Sequence, residues 1–79
     1  MNPRVVVYTK PGCHLCDDAL AVVVQVCGEV GVAWMGHDIS DDDELMAQWK
    51  DCVPVTFVDG EVHDVFRVQP QRLRAALRP

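Results

Sequence analysis

Basic residues are scarce in this chain: seven lysines and arginines stand against twelve acids, for a formal charge of −5. A surface that grips nucleic acid needs a basic patch, so phosphate-backbone binding is not expected. Long apolar runs are missing too, and nothing approaches the roughly 20 residues that cross a bilayer. The opening Met1-Asn2-Pro3-Arg4 leads straight into Val5–Val7, which is too short for the apolar centre of an export signal and has no cleavage site. These absences set the expectation of a cytoplasmic protein with neither membrane nor nucleic-acid partners. Repeats, low-complexity tracts and linkers are also lacking, so residues 1–79 are read as one domain and a monomer. The core at this length is small. A hydrophobic content of 49% is nevertheless ordinary for a globular fold and too high for disorder.

The apolar pattern divides the chain into seven elements. Arg4–Thr9 is a strand whose continuous valines suggest burial on both faces, with neighbours on each side. Pro11-Gly12 marks a turn. A helix begins near Cys13 or His14, with Leu15, Ala19, Val22, Val23 and Val26 at helical spacing, and Gly28 and Gly31 punctuate its end. Gly31–Ile39 reads as a second strand, with Trp34 taken as packing. Ser40 is the expected N-cap of a second helix, whose first turn holds Asp41, Asp42, Asp43 and Glu44 and whose apolar stripe is Leu45, Met46 and Trp49. Val55–Val58 and Glu61–Phe66 flank Asp59-Gly60, a strong hairpin turn. Gln69-Pro70 opens a third helix with Leu73, Ala76 and Leu77 inward and Arg72, Arg74 and Arg78 outward. The order β-α-β-α-β-β-α predicts an α/β fold. The first two strands are parallel and the last two antiparallel, in a four-stranded mixed sheet flanked by helices.

Four cysteines would suit a secreted disulfide framework, but the absence of an export signal argues against one. Cys13 and Cys16 instead lie at the strand-to-helix turn, as Cys-His-Leu-Cys. The first helical turn has unpartnered N–H groups and partial positive charge, which favour a thiolate at Cys13. Cys16 sits one turn further along, within reach for a disulfide. In this context C-x-x-C reads first as a redox pair, the plainer alternatives being buried structural thiols or half of a zinc site. Zinc would need two further ligands. A second C-x-x-C is absent, and Cys27, Cys52, His37 and His63 lack ligand spacing, so no metal is expected. Lys10 either favours ionisation and attracts an anionic partner or is an ordinary surface lysine. His14 either tunes Cys13 or is simply exposed. Asp17 and Asp18 suit the helix start and oppose ionisation of Cys16. Cys27 reads as a core residue.

The run Tyr8-Thr9-Lys10-Pro11-Gly12-Cys13-His14-Leu15-Cys16, followed by Val53-Pro54-Val55-Thr56-Phe57-Val58-Asp59-Gly60, resembles glutaredoxins. Within that family it looks most like small glutaredoxin-like proteins with Cys-His-Leu-Cys. The resemblance spans essentially the whole chain and implies a thioredoxin-like fold. It further implies a cis Val53–Pro54 bond facing the redox pair, with backbone groups that hold a substrate's cysteine segment. Cys13 is then the nucleophile and Cys16 the resolving thiol. Lys10 matches the family lysine that binds a glutathione carboxylate.

Two features depart from the family pattern. His14 and Leu15 replace the Pro-Tyr of Cys-Pro-Tyr-Cys, whose tyrosine helps form the glutathione site. Asp59-Gly60-Glu61-Val62-His63 only partly matches the Gly-Gly turn and aspartate that contact glutathione. Cys52 stands where the family commonly has threonine, as a third redox partner or a small residue filling space. The implied activity is reduction of protein or glutathione mixed disulfides. The resemblance also implies that no cofactor is bound, that glutathione can serve as a co-substrate, and that glutathione or a reductase is the electron donor. The rival readings are a non-catalytic peptide-binding module, docking an extended peptide at Leu15 and Val53-Pro54, and a thiol-based metal carrier.

Overall fold

Val5, Val6 and Val7 form the central strand that their unbroken apolarity predicts. The computed structural model describes residues 3–78. Its elements are β1 (Val5–Thr9), α1 (His14–Val30), β2 (Trp34–Asp38), α2 (Asp43–Trp49), β3 (Val55–Val58), β4 (Glu61–Val65) and α3 (Pro70–Leu77). The sheet order is β2-β1-β3-β4. β1 pairs in parallel with β2, setting Thr9 beside Asp38, and antiparallel with β3, setting Tyr8 beside Val55. β3 and β4 are antiparallel, with a register irregularity between Thr56 and Phe57.

Alternation along the central strands sends side chains into two cores. Val5 and Val7 of β1 and Val58 of β3 pack with Ala19, Val23, Val26 and Cys27 of α1 and Leu73 and Leu77 of α3. On the other face Val55 joins Cys16, Ile39 and Val53, with Tyr8, Phe57 and the α2 residues Leu45, Met46 and Trp49 packed against them. Trp49 meets Phe57 edge-on at a centroid distance of 5.7 Å, and Tyr8 lies 4.7 Å from Phe57. So α1 and α3 cover one face and α2 covers the other, and α1 touches both cores.

Several local expectations are corrected. α1 runs through Gly28 and stops at Gly31, whose left-handed φ of 72° lets its N–H reach the Cys27 carbonyl. Asp42 rather than Ser40 caps α2: its Oδ1 accepts from the Leu45 N–H at 3.0 Å. The Ser40 N–H is taken by Asp38 Oδ1 at 2.9 Å, and the turn closed by Asp42 N–H on the Ile39 carbonyl moves the helix start two residues on. β2 is shorter than expected and forms a sheet edge. Trp34 (37% exposed) and Met35 (42%) therefore keep over a third of their surface in solvent instead of packing fully inside. Ala76 is exposed, because Leu73 and Leu77, one turn apart, fill the inward stripe of α3. β4 ends at Val65, since Phe66 takes a left-handed φ of 65° that no strand continues.

Candidate redox site

β1 delivers the chain to the turn at Pro11-Gly12, where Gly12 adopts φ 72°. Cys13 follows as the N-cap of α1, in extended conformation. Its side chain does the capping: the Cys16 N–H points at Cys13 Sγ from 3.2 Å, and the Asp17 N–H bonds the Cys13 carbonyl at 3.3 Å. Sulfur thus occupies the place where a serine or aspartate oxygen usually sits, against a donor that has no intrahelical partner. Cys13 is half-buried and His14 beside it is exposed.

Cys16 has a different environment. It is 2% exposed and packs with Ile39, Val53 and Val55. Its pKa is pushed up to about 11, first by burial and then by its hydrogen bond with Cys13; the charges of Cys13 and Asp17 act in the same direction. A backbone hydrogen bond from Lys10 opposes the rise. The two sulfurs of one motif are therefore unlike: one caps a helix at the surface and the other is held as a buried thiol. All four cysteines are free.

Lys10 is exposed, and its Nζ donates to the Lys50 carbonyl at 3.2 Å, tying the β1–α1 turn to the end of α2. It reaches the thiol pair through its backbone. Val53 shares the Cys16 core, and the Val53–Pro54 bond is cis. Cys52 is half-buried against the same core, with its N–H on the Trp49 carbonyl at 2.8 Å. Cys13, Cys16, Lys10, Val53, Pro54 and Cys52 thus gather at one end of the sheet, while Cys27 lies in the other core. The described residues hold no group of three or more His, Cys, Asp or Glu side chains placed to bind a metal ion.

Two features of this end escape the sequence pattern. Phe66, 44% exposed, donates its N–H to the Pro54 carbonyl at 2.8 Å. Nothing in an aromatic residue announces left-handed backbone, and its apolarity reads as strand. A cavity of about 250 Å³ also opens between α1 and the β4–α3 connection, with Asp18 and Arg67 on its walls. Among the described residues no helix is long and apolar enough to cross a membrane.

Comparison with known proteins agrees with this geometry. Residues 4–78 match the family model described as Glutaredoxin-like domain (DUF836). An uncharacterized protein of Mycobacterium tuberculosis is 30% identical over 79 residues, covering 94% of this chain and 81% of its own. The X-ray structure of a structural-genomics target from X. campestris superposes with a TM-score of 0.76 at 30% identity, covering 92% of this chain and 93% of that one. A crystal structure of a thioredoxin-like protein, at 24% identity and a TM-score of 0.59, covers 94% of each chain and shares the fold. With three helices and a four-stranded mixed sheet in the thioredoxin-like arrangement, this chain belongs to the glutaredoxin-like family, a redox-type domain.

Proposed function

We propose that the chain is a dithiol–disulfide oxidoreductase in which Cys13 is the nucleophile and Cys16 the resolving thiol. The observation that carries this reading is the asymmetry of the pair. Cys13 Sγ lies at the helix N-terminus against the Cys16 N–H at 3.2 Å, whereas Cys16 is buried with its proton held up to about pH 11. Attack on a disulfide needs a thiolate and an accessible sulfur, which suit Cys13; the second thiol must wait protonated until a mixed disulfide forms. In the reaction the Cys13 thiolate attacks one sulfur of the substrate disulfide and displaces the other as a thiolate, which takes up a proton. Cys16 then loses its proton and attacks Cys13 Sγ, releasing the second substrate thiol. Two electrons pass from the cysteine pair to the substrate; of the two protons that the product thiols take up, one is lost by Cys16 and the other comes from solvent, which received the Cys13 proton on ionisation, and glutathione or a reductase restores the dithiol. Val53 and Pro54 form the substrate-facing wall in this proposal.

The test is a titration of the reduced protein in glutathione buffers, quenched by alkylation and read by intact and peptide mass. Interconversion of the 13–16 pair between dithiol and disulfide, or glutathione on Cys13 alone, is the expected result. A pair fixed in one state across the cytosolic range would overturn the proposal in favour of a binding module. Cys13→Ser is expected to abolish exchange entirely, and Cys16→Ser to accumulate mixed disulfides on Cys13. Turnover by the Cys13→Ser protein would remove the mechanism.

A further inference from the structure

The formal charge of −5 is unevenly placed. β1 and β2 end together, α1 starts there, and β3, antiparallel to β1, begins there. α2 is tied to the same end at both its termini, by Asp42 N–H on the Ile39 carbonyl and by Lys10 Nζ on the Lys50 carbonyl. This thiol-bearing end therefore carries Asp17 and Asp18 from α1, Asp38 from β2, the acidic run 41–44 and Asp51. All eight are exposed, and among the described residues none is in an ion pair. Against these eight acids stand three bases, Lys10, Lys50 and Arg67. The rest of the molecule has four acids and four bases, with Arg4–Asp59, Arg72–Asp64 and Arg74–Glu29 closed at 2.7–2.8 Å. The whole formal charge thus lies at the end that presents Cys13.

Resting on the oxidoreductase reading, we infer that the substrate disulfide belongs to a polypeptide flanked by lysine or arginine, and that glutathione disulfide, an anion, is disfavoured. Unpaired exposed acids around a reactive sulfur raise the local concentration of cationic partners and lower that of anions, an effect that salt screens. Two further observations fit a polypeptide partner rather than glutathione. The Lys10 ammonium, the base nearest the pair in the chain, is engaged by a backbone carbonyl. Phe66 adds an exposed apolar contact beside the Pro54 carbonyl, suited to a peptide.

The test uses the reduced full chain in single-turnover exchange, read by acid quench, alkylation and mass. The probes are two cyclic disulfide peptides, identical except that flanking lysines in one are glutamates in the other, together with glutathione disulfide and uncharged hydroxyethyl disulfide. At about 0.02 M sodium chloride the lysine peptide is expected to react at least about fivefold faster than the glutamate peptide, and by about 0.5 M the difference should largely close. Hydroxyethyl disulfide should show little salt dependence, and glutathione disulfide should speed up with salt. In D41N/D43N/E44Q, which alters only exposed side chains of the acidic run, the lysine-peptide advantage should shrink. Equal peptide rates with flat salt slopes, or glutathione disulfide outpacing the lysine peptide at low salt, would overturn this inference while leaving the oxidoreductase reading intact. Failure of every disulfide to react, the uncharged one included, would overturn both.

Discussion

At the scale of single residues, the difference between Cys13 and Cys16 has a consequence for stability as well as chemistry. Cys16 titrates at about 11 in the folded protein, raised from 9.0 chiefly by burial. Below pH 9 the thiol is protonated whether the chain is folded or not, and the full stabilisation is present. Between about 9 and 11 the unfolded chain gives up this proton while the folded one keeps it, so stability falls as pH rises. Urea midpoints of the reduced protein are expected to decline across that window. In Cys16→Ala the decline should be shallower. Parallel curves for the two proteins would mean that Cys16 is not held as a buried thiol. The placement of both thiols at a strand–turn–helix junction was legible, because valines, Pro11-Gly12 and a helical apolar period adjoin them. That Cys13 Sγ would itself cap the helix was not legible: cysteine is a weak capping residue, and only the turn geometry aims its sulfur at the Cys16 N–H.

At the scale of elements, local chemistry was readable where one residue type dominates and ambiguous where several compete. The β3–β4 hairpin follows Asp59-Gly60 closely, both residues taking the left-handed φ that such a turn demands. The start of α2 offered four oxygen-bearing side chains in a row, from Ser40 to Asp43, and sequence preference does not rank them; the turn on Ile39 does. The assignment predicts a contrast. Asp42→Ala should cost about 1 kcal/mol in urea unfolding, the usual loss for an N-cap, and Ser40→Ala a few tenths at most. Equal losses would return the cap to Ser40. A second contrast concerns α1. Gly28 sits inside the helix, and beyond its chain neighbours and the helix's own backbone no atom lies within 4 Å of an added methyl group, so Gly28→Ala should stabilise by about 0.5–1 kcal/mol. Gly31 holds φ 72° at the helix end, so Gly31→Ala should destabilise by roughly 1 kcal/mol. Thermal midpoints moving in opposite directions would bear out the helix end at Gly31; two losses would place it at Gly28. The exposure of Trp34 and Met35 was hidden for a related reason: apolar type marks a strand but not whether that strand lies at an edge.

At the scale of the whole molecule, the two cores have unequal duties. The core between the sheet and α1–α3 holds Val5, Val7, Val23, Val26, Leu73 and Leu77, whereas the core under α2 holds Cys16 and Val53. α1 joins them, its first turn in one and its body in the other. Leu73 is fully buried at the centre of the first core and makes α3 part of the fold. Removing its side chain should cost about 2–5 kcal/mol through lost burial and an unfilled cavity. A chain of this length holds roughly 4–12 kcal/mol in total, so Leu73→Ala is expected to lower the urea midpoint severely. The Cys13–Cys16 pair lies in the other core, however, and Cys16 and Leu73 belong to different clusters. In the cold, where the variant remains folded, its exchange rate with hydroxyethyl disulfide should therefore stay close to that of the parent chain. Unfolding followed by circular dichroism, paired with exchange rates normalised to the folded fraction, separates the two effects. A normalised rate that falls with stability would show that the α3 side of the core positions the thiol end as well, and that the two cores act as one.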